Sequence, residues 1–105
     1  MILNSNITTM YIILLTYVKP LEDVDRHLTD HVAFLNDQYA SKKFFLSGRK
    51  NPRTGGVILA HNCDREELNR IISQDPFHAN EIAKYEIIEF EPSKYDEALE
   101  SFINQ

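Results

Sequence analysis

Eight residues near the start of the chain, "MYIILLTY" (10–17), limit what it can fold into more than any other stretch. Both alternating sets are almost wholly apolar: Tyr11, Ile13, Leu15 and Tyr17 on one side, Met10, Ile12, Leu14 and Thr16 on the other. A strand with one wet face alternates polar and apolar, whereas a strand apolar on both sets is covered on both. Helices of the same chain can cover one face. A chain of 105 residues is a single domain by ordinary domain size, and it has no second layer left for the other face. The reading therefore predicts a homodimer packed through the sheet.

The remaining elements follow from periodicity and punctuation. After "VKP", apolar residues at Leu21, Val24, Leu28, Val32, Leu35 and Tyr39 recur at three- and four-residue spacing, predicting one helix over about 21–42. "KFFLSGR" (43–49) and "GGVILAHN" (55–62) read as strands, and the Pro and paired Gly of "KNPRTGG" join them as a hairpin. "DREELNRIISQ" (64–74) is a helix with Asp64 as N-cap and Glu67 completing a capping box. "KYEIIEFEP" (84–92) is a fourth strand, and "SKYDEALESFINQ" a capped C-terminal helix. The order β-α-β-β-α-β is that of an α+β, ferredoxin-like domain, here with an extra C-terminal helix. Residues 1–9 read as a short N-terminal extension, leaving 10–105 as the domain.

Charge and composition remove several classes of function. The net charge is −5, while a nucleic-acid binder needs a cationic face to neutralise phosphates. Only "SGRKNPR" is locally basic, and that cluster suits one small anion. One cysteine, Cys63, allows neither an intrachain disulfide nor a cysteine metal motif. The apolar run at 10–17 is shorter than the roughly 20 residues of a membrane span and has no basic leader. The expectation is a cytoplasmic protein that uses no metal or organic cofactor.

Chemistry concentrates at two places. His31 flanks the apolar stripe of the first helix, about 40° from Leu35 at 100° per residue. It reads either as a half-buried histidine satisfied by a carbonyl or water, or as a general base, since an imidazole can take a proton near neutrality. In "SQDPFHAN" (73–80), Asp75 precedes Pro76, an arrangement that favours a helix N-cap. A carboxylate on one nitrogen of His31 would fix its tautomer, and Asp75 is the candidate. Its two oxygens make capping and pairing compatible. His78 reads as an exposed turn residue or as part of the same pocket. Arg53, beside Thr54 and two glycines, reads as an anion contact or as part of a plain hairpin whose glycines need positive φ.

Taken together, "YIILLTYVKPLEDVDRHLTDHVAFL", "FFLSGRKNPRTGGVILA" and "DPFHANEIAKYEIIEFEP" resemble the YciI-like (YCII-related) family over Met10 to Tyr95. The resemblance implies a ferredoxin-like domain that dimerises sheet to sheet into an α/β barrel. It also implies an active-site His–Asp pair at His31 and Asp75, with Ser47 matching a serine often found before the glycine of the second strand. Some relatives dehydrochlorinate a chlorinated hydroxyquinol, which brings proton abstraction and elimination within reach. The sequence departs from the pattern at Lys42, where glycine is frequent, and at Arg49, where proline is frequent.

The expectation is a lyase- or isomerase-like enzyme acting on a small cyclic or aromatic acid. His31 and Asp75 would be its catalytic pair, and Ser47, Arg53 and His78 its substrate contacts. The alternative is a dimeric module that binds a small molecule or a protein without turning anything over.

Overall fold

The computed structural model describes residues 9–103. The expected N-terminal extension, apart from Thr9, lies outside the described residues. Four strands, β1 (Met10–Tyr17), β2 (Phe44–Arg49), β3 (Gly55–Ala60) and β4 (Ala83–Phe90), form one antiparallel sheet in the order β2-β3-β1-β4. Strands β1 and β2 thus run parallel with β3 inserted between them, the split βαβ arrangement. The helices are α1 (Leu21–Arg26), α2 (Leu28–Ala40), α3 (Arg65–Ser73), α4 (Pro76–Ala79) and α5 (Glu100–Ile103). Among the described residues, no helix is long and apolar enough to cross a membrane.

The expected first helix is two helices. His27 leaves helical geometry at φ −105°, ψ 4° and separates α1 from α2. This break resets the helical phase, so the buried stripe differs from the one read off the spacing. Val24, His31 and Phe34 are buried, while Leu21 and Val32 are 45% and 43% exposed. His31 thereby moves from the flank of the stripe to its centre. The helix also ends two residues early, because Lys42 adopts φ 65°, a left-handed conformation that costs a side-chain-bearing residue about 1–2 kcal/mol.

The other boundaries shift by a few residues. The expected C-terminal helix is a 3₁₀ turn over Glu97–Leu99 followed by α5, and its cap is Asp96, whose carboxylate accepts from the Ala98 amide at 2.8 Å. The capping box on α3 holds on the Asp64 side, with Glu67 N–H donating to Asp64 at 2.8 Å. A bulge at Phe45, between the pairs Phe44↔Ala60 and Leu46↔Leu59, bends the edge strand β2.

The core lies between the helices and one face of the sheet. Tyr11, Ile13 and Leu15 of β1 meet Val24, Phe34, Leu68, Ile72 and Phe77, all nearly or fully buried. The opposite face is built on the other alternating set. Ile12 and Leu14 pair with Ile88 and Glu86 on one side and with Leu59 and Val57 on the other, and Leu46 lies beyond Leu59. Leu46, Ile88 and Phe90 are 58%, 43% and 41% exposed there, while one end of this face is covered by α5, whose Phe102 sets its ring against Phe45 and the buried His61.

The hairpin glycines serve packing rather than turn geometry. No glycine has positive φ. A Cβ on Gly55 would lie 1.8 Å from the Leu15 carbonyl oxygen, so only glycine lets β3 approach β1 at that point.

Candidate active site

The junction between α3 and α4 delivers Asp75 into the core. Ile72 accepts from the Asp75 amide at 3.0 Å, and the Asp75 carbonyl then accepts from His78 and Ala79, starting the short α4 with Pro76 in its first turn. The Asp75 side chain is fully buried. Its Oδ1 accepts from the Phe77 amide at 3.0 Å, the capping contact. The same oxygen faces His31 Nδ1 at 2.7 Å, and Oδ2 accepts from the Tyr85 hydroxyl at 2.5 Å. A buried carboxylate is tolerated only when donors surround it, and Asp75 has three.

His31 is fixed on two sides. Its ring stacks on Phe77 with centroids 3.9 Å apart and planes 4° from parallel. In a neutral ring, a carboxylate at Nδ1 favours the tautomer with Nδ1–H and leaves Nε2 as the acceptor. The third group, Tyr85, was not singled out from the sequence. Ala83, Tyr85 and Ile87 share the core-facing set of β4, and a tyrosine placed there brings a hydroxyl that needs a partner. Burial, then the charge of Asp75 and the bond to it, raises the Tyr85 pKa above the ordinary tyrosine range, so Tyr85 is a proton donor to Asp75 throughout the physiological range.

His31 opens onto a cavity of about 240 Å³ between α2 and the sheet. Leu15, Leu28, Leu35, Ile58 and Phe77 supply its apolar wall, and Ser47, Arg49 and Arg53 its polar part. The Ser47 and Tyr39 hydroxyl oxygens lie 2.7 Å apart. Arg53 lines the cavity but donates to Asp25 at 2.7 Å, which keeps its guanidinium charged and partly neutralised. Asp25 was not singled out from the sequence.

The structure therefore brings His31, Asp75, Ser47 and Arg53 to one region. His78 is not among the residues lining the cavity; it is exposed and sets its ring against Tyr85 with centroids 5.3 Å apart. The remaining titratable groups of interest sit elsewhere. Burial pushes the Cys63 thiol up to about 11 and His61 below the usual histidine value. Among the described residues, no group of three or more His, Cys, Asp or Glu side chains is arranged to hold a metal ion.

A four-stranded antiparallel sheet, α1 to α4 on one face and a buried His–Asp pair under an open pocket define a small α+β domain of the ferredoxin-like class. Residues 10–91 match the model of the YCII-related domain, and the chain belongs to that family. No curated protein matches it in sequence. Among solved structures, it resembles the 5-chloro-2-hydroxyhydroquinone dehydrochlorinase of Burkholderia phenoliruptrix AC1100, determined with 2,5-dihydroxybenzoquinone. That likeness has a TM-score of 0.67 at 16% identity, over 85% of this chain and 97% of the other. A cofactor-independent oxygenase from Streptomyces nogalater aligns at TM-score 0.48 and 16% identity, over 84% of this chain and 95% of the other.

Proposed function

We propose that the chain is a proton-transfer enzyme of lyase or isomerase type, acting on a small cyclic or aromatic acid bound in the cavity. The observation that carries the reading is the buried contact between His31 Nδ1 and Asp75 Oδ1 at 2.7 Å, with the same imidazole lining the cavity. His31 Nε2 takes a proton from the ligand, and Asp75 stabilises the imidazolium that forms. In an elimination, the electron pair of the broken C–H bond becomes a double bond while the leaving group departs with its own pair. His31 then returns its proton to solvent or to the product. Ser47 and Arg53 hold polar groups of the ligand. General acid–base participation of this kind contributes about 10²–10⁴-fold.

Two further points support the reading. The cavity, at about 240 Å³, is smaller than the roughly 300–1,000 Å³ of drug-sized sites, a size that suits a one-ring ligand. The dehydrochlorinase of similar fold holds a one-ring dihydroxybenzoquinone. The test is a turnover screen over one-ring hydroxy acids and chlorinated hydroquinones, with each active compound then offered to His31→Ala. Loss of about 10²-fold or more is expected. Turnover by His31→Ala at the wild-type rate would rule the mechanism out, and binding without turnover across the screen would favour the binding module.

The working form is a homodimer closed through the outer sheet face. That face carries Ile12, Leu14, Leu46, Val57, Leu59, Ile88 and Phe90 in adjacent register, a continuous apolar area that monomers seldom leave open. Light scattering at micromolar concentration should give twice the chain mass; a monomer there would overturn the assembly.

A further inference from the structure

The basic stretch beside the cavity holds three cations with different fates. Lys50 Nζ donates to Thr16 Oγ1 at 3.2 Å, and Arg53 donates to Asp25 at 2.7 Å. Arg49 has no side-chain partner among the described residues. It nevertheless lines the cavity together with His31 and Ser47. Alternation along β2 puts Arg49 on the same face as Ser47, about 7 Å further along the strand at the usual rise per residue. Gly56, its cross-strand neighbour, also lines the cavity and adds no side chain to it.

We infer that Arg49 is the anion-binding residue of the cavity, and that the ligands it selects are flat, one-ring molecules carrying a carboxylate. A guanidinium presents paired donors that match a carboxylate, and it stays charged at every working pH. The apolar wall from Leu15, Leu28 and Phe77 takes the ring, and Ser47 takes a second polar substituent. Arg53 already has one guanidinium nitrogen on Asp25, which partly neutralises its charge and leaves it to hold a polar rather than an anionic group of the ligand. The inference rests on the cavity being the ligand site, but not on His31 transferring a proton.

The experiment is a pair of amide-NMR titrations with 4-hydroxybenzoate and 4-hydroxybenzamide, which share ring and size but differ in charge. The wild type should bind the acid about tenfold more tightly than the amide, the scale of one charge-assisted hydrogen bond. Arg49→Gln should abolish that preference by weakening the acid alone, while Lys50→Gln retains it. His31→Gln should also retain it, so a failed proton-transfer mechanism and a failed anion site give different results. The inference is overturned if the preference survives Arg49→Gln, or if it is lost in Arg53→Gln instead. It is equally overturned if the wild type shows no preference, or binds neither compound more tightly than about 10 mM.

Discussion

His31 and Asp75, 44 residues apart in the chain, meet through Nδ1 and Oδ1 at 2.7 Å in the interior. The contact sets which imidazole nitrogen carries the proton, so replacing the acceptor changes chemistry before it changes shape. Asp75→Asn retains a carbonyl oxygen for the cap but loses the charge. Nitrogen shifts of the His31 ring should show the Nδ1–H form in the wild type and a mixture of tautomers in the variant. Any proton-transfer activity should fall by about 10²–10⁴-fold. Identical ring shifts in the two proteins would leave Asp75 as a helix cap alone.

Tyr85 gives the pair an alkaline signature. Burial and the Asp75 charge raise its folded-state pKa, whereas the unfolded chain ionises near 10. Above pH 10 the folded state therefore binds more protons than the unfolded one, and stability falls as pH rises. A spectrophotometric titration should show that Tyr85→Phe removes none of the tyrosinate absorbance that develops before unfolding. The same change leaves Asp75 Oδ2 without its donor and should cost about 1–3 kcal/mol. A variant with reduced early absorbance would mean that Tyr85 ionises like an exposed tyrosine.

At the other end of the pH scale, His61 is 1% exposed, and its Nδ1 is buried without a hydrogen-bond partner. Its pKa is lowered, chiefly by burial. Between that lowered value and about 6.5 the unfolded state binds the extra proton, so stability declines as pH falls through this interval. Thermal unfolding from pH 7.5 to 5 should show the decline in the wild type and a flatter profile in His61→Leu. Parallel profiles would assign the acid sensitivity to another group.

Lys42 holds a left-handed conformation at φ 65° where the chain leaves α2 for β2. Lys42→Gly removes a strain of about 1–2 kcal/mol and adds about 0.5–1 kcal/mol of unfolded-state entropy. A net stabilisation of up to about 1.5 kcal/mol is expected, visible as a higher denaturant midpoint at unchanged slope. A lower midpoint would show that Lys42 makes a contact in the native state worth more than its strain.

Much of the fold was legible because strands and helices announce themselves by period. The two apolar sets of β1, the capped start of α3 and the hairpin between β2 and β3 each follow from a local rule. The break at His27 has no such rule, since neither Gly nor Pro marks it, and without the break the periodicity gave the wrong phase for Leu21 and Val32. At the site, the types of residue were readable but their partners were not. Arg53 read as an anion contact or part of a plain hairpin, and no local rule ties it to Asp25, 28 residues earlier in sequence. Tyr85 was readable in principle, as a hydroxyl on the core-facing set of a strand. The C-terminal helix failed for a simpler reason: Ser93 and Asp96 are equally good caps, and the chain uses the second.

One oxygen of Asp75 does two jobs, accepting from the Phe77 amide at 3.0 Å and facing His31 at 2.7 Å. The amide proton of Phe77 is therefore a reporter placed inside the site by the backbone itself. Its exchange with deuterated solvent slows while the carboxylate is in position and quickens when the carboxylate swings away. The integrity of the His31 pair can be followed through that single resonance, with no substrate in hand and no label on either side chain.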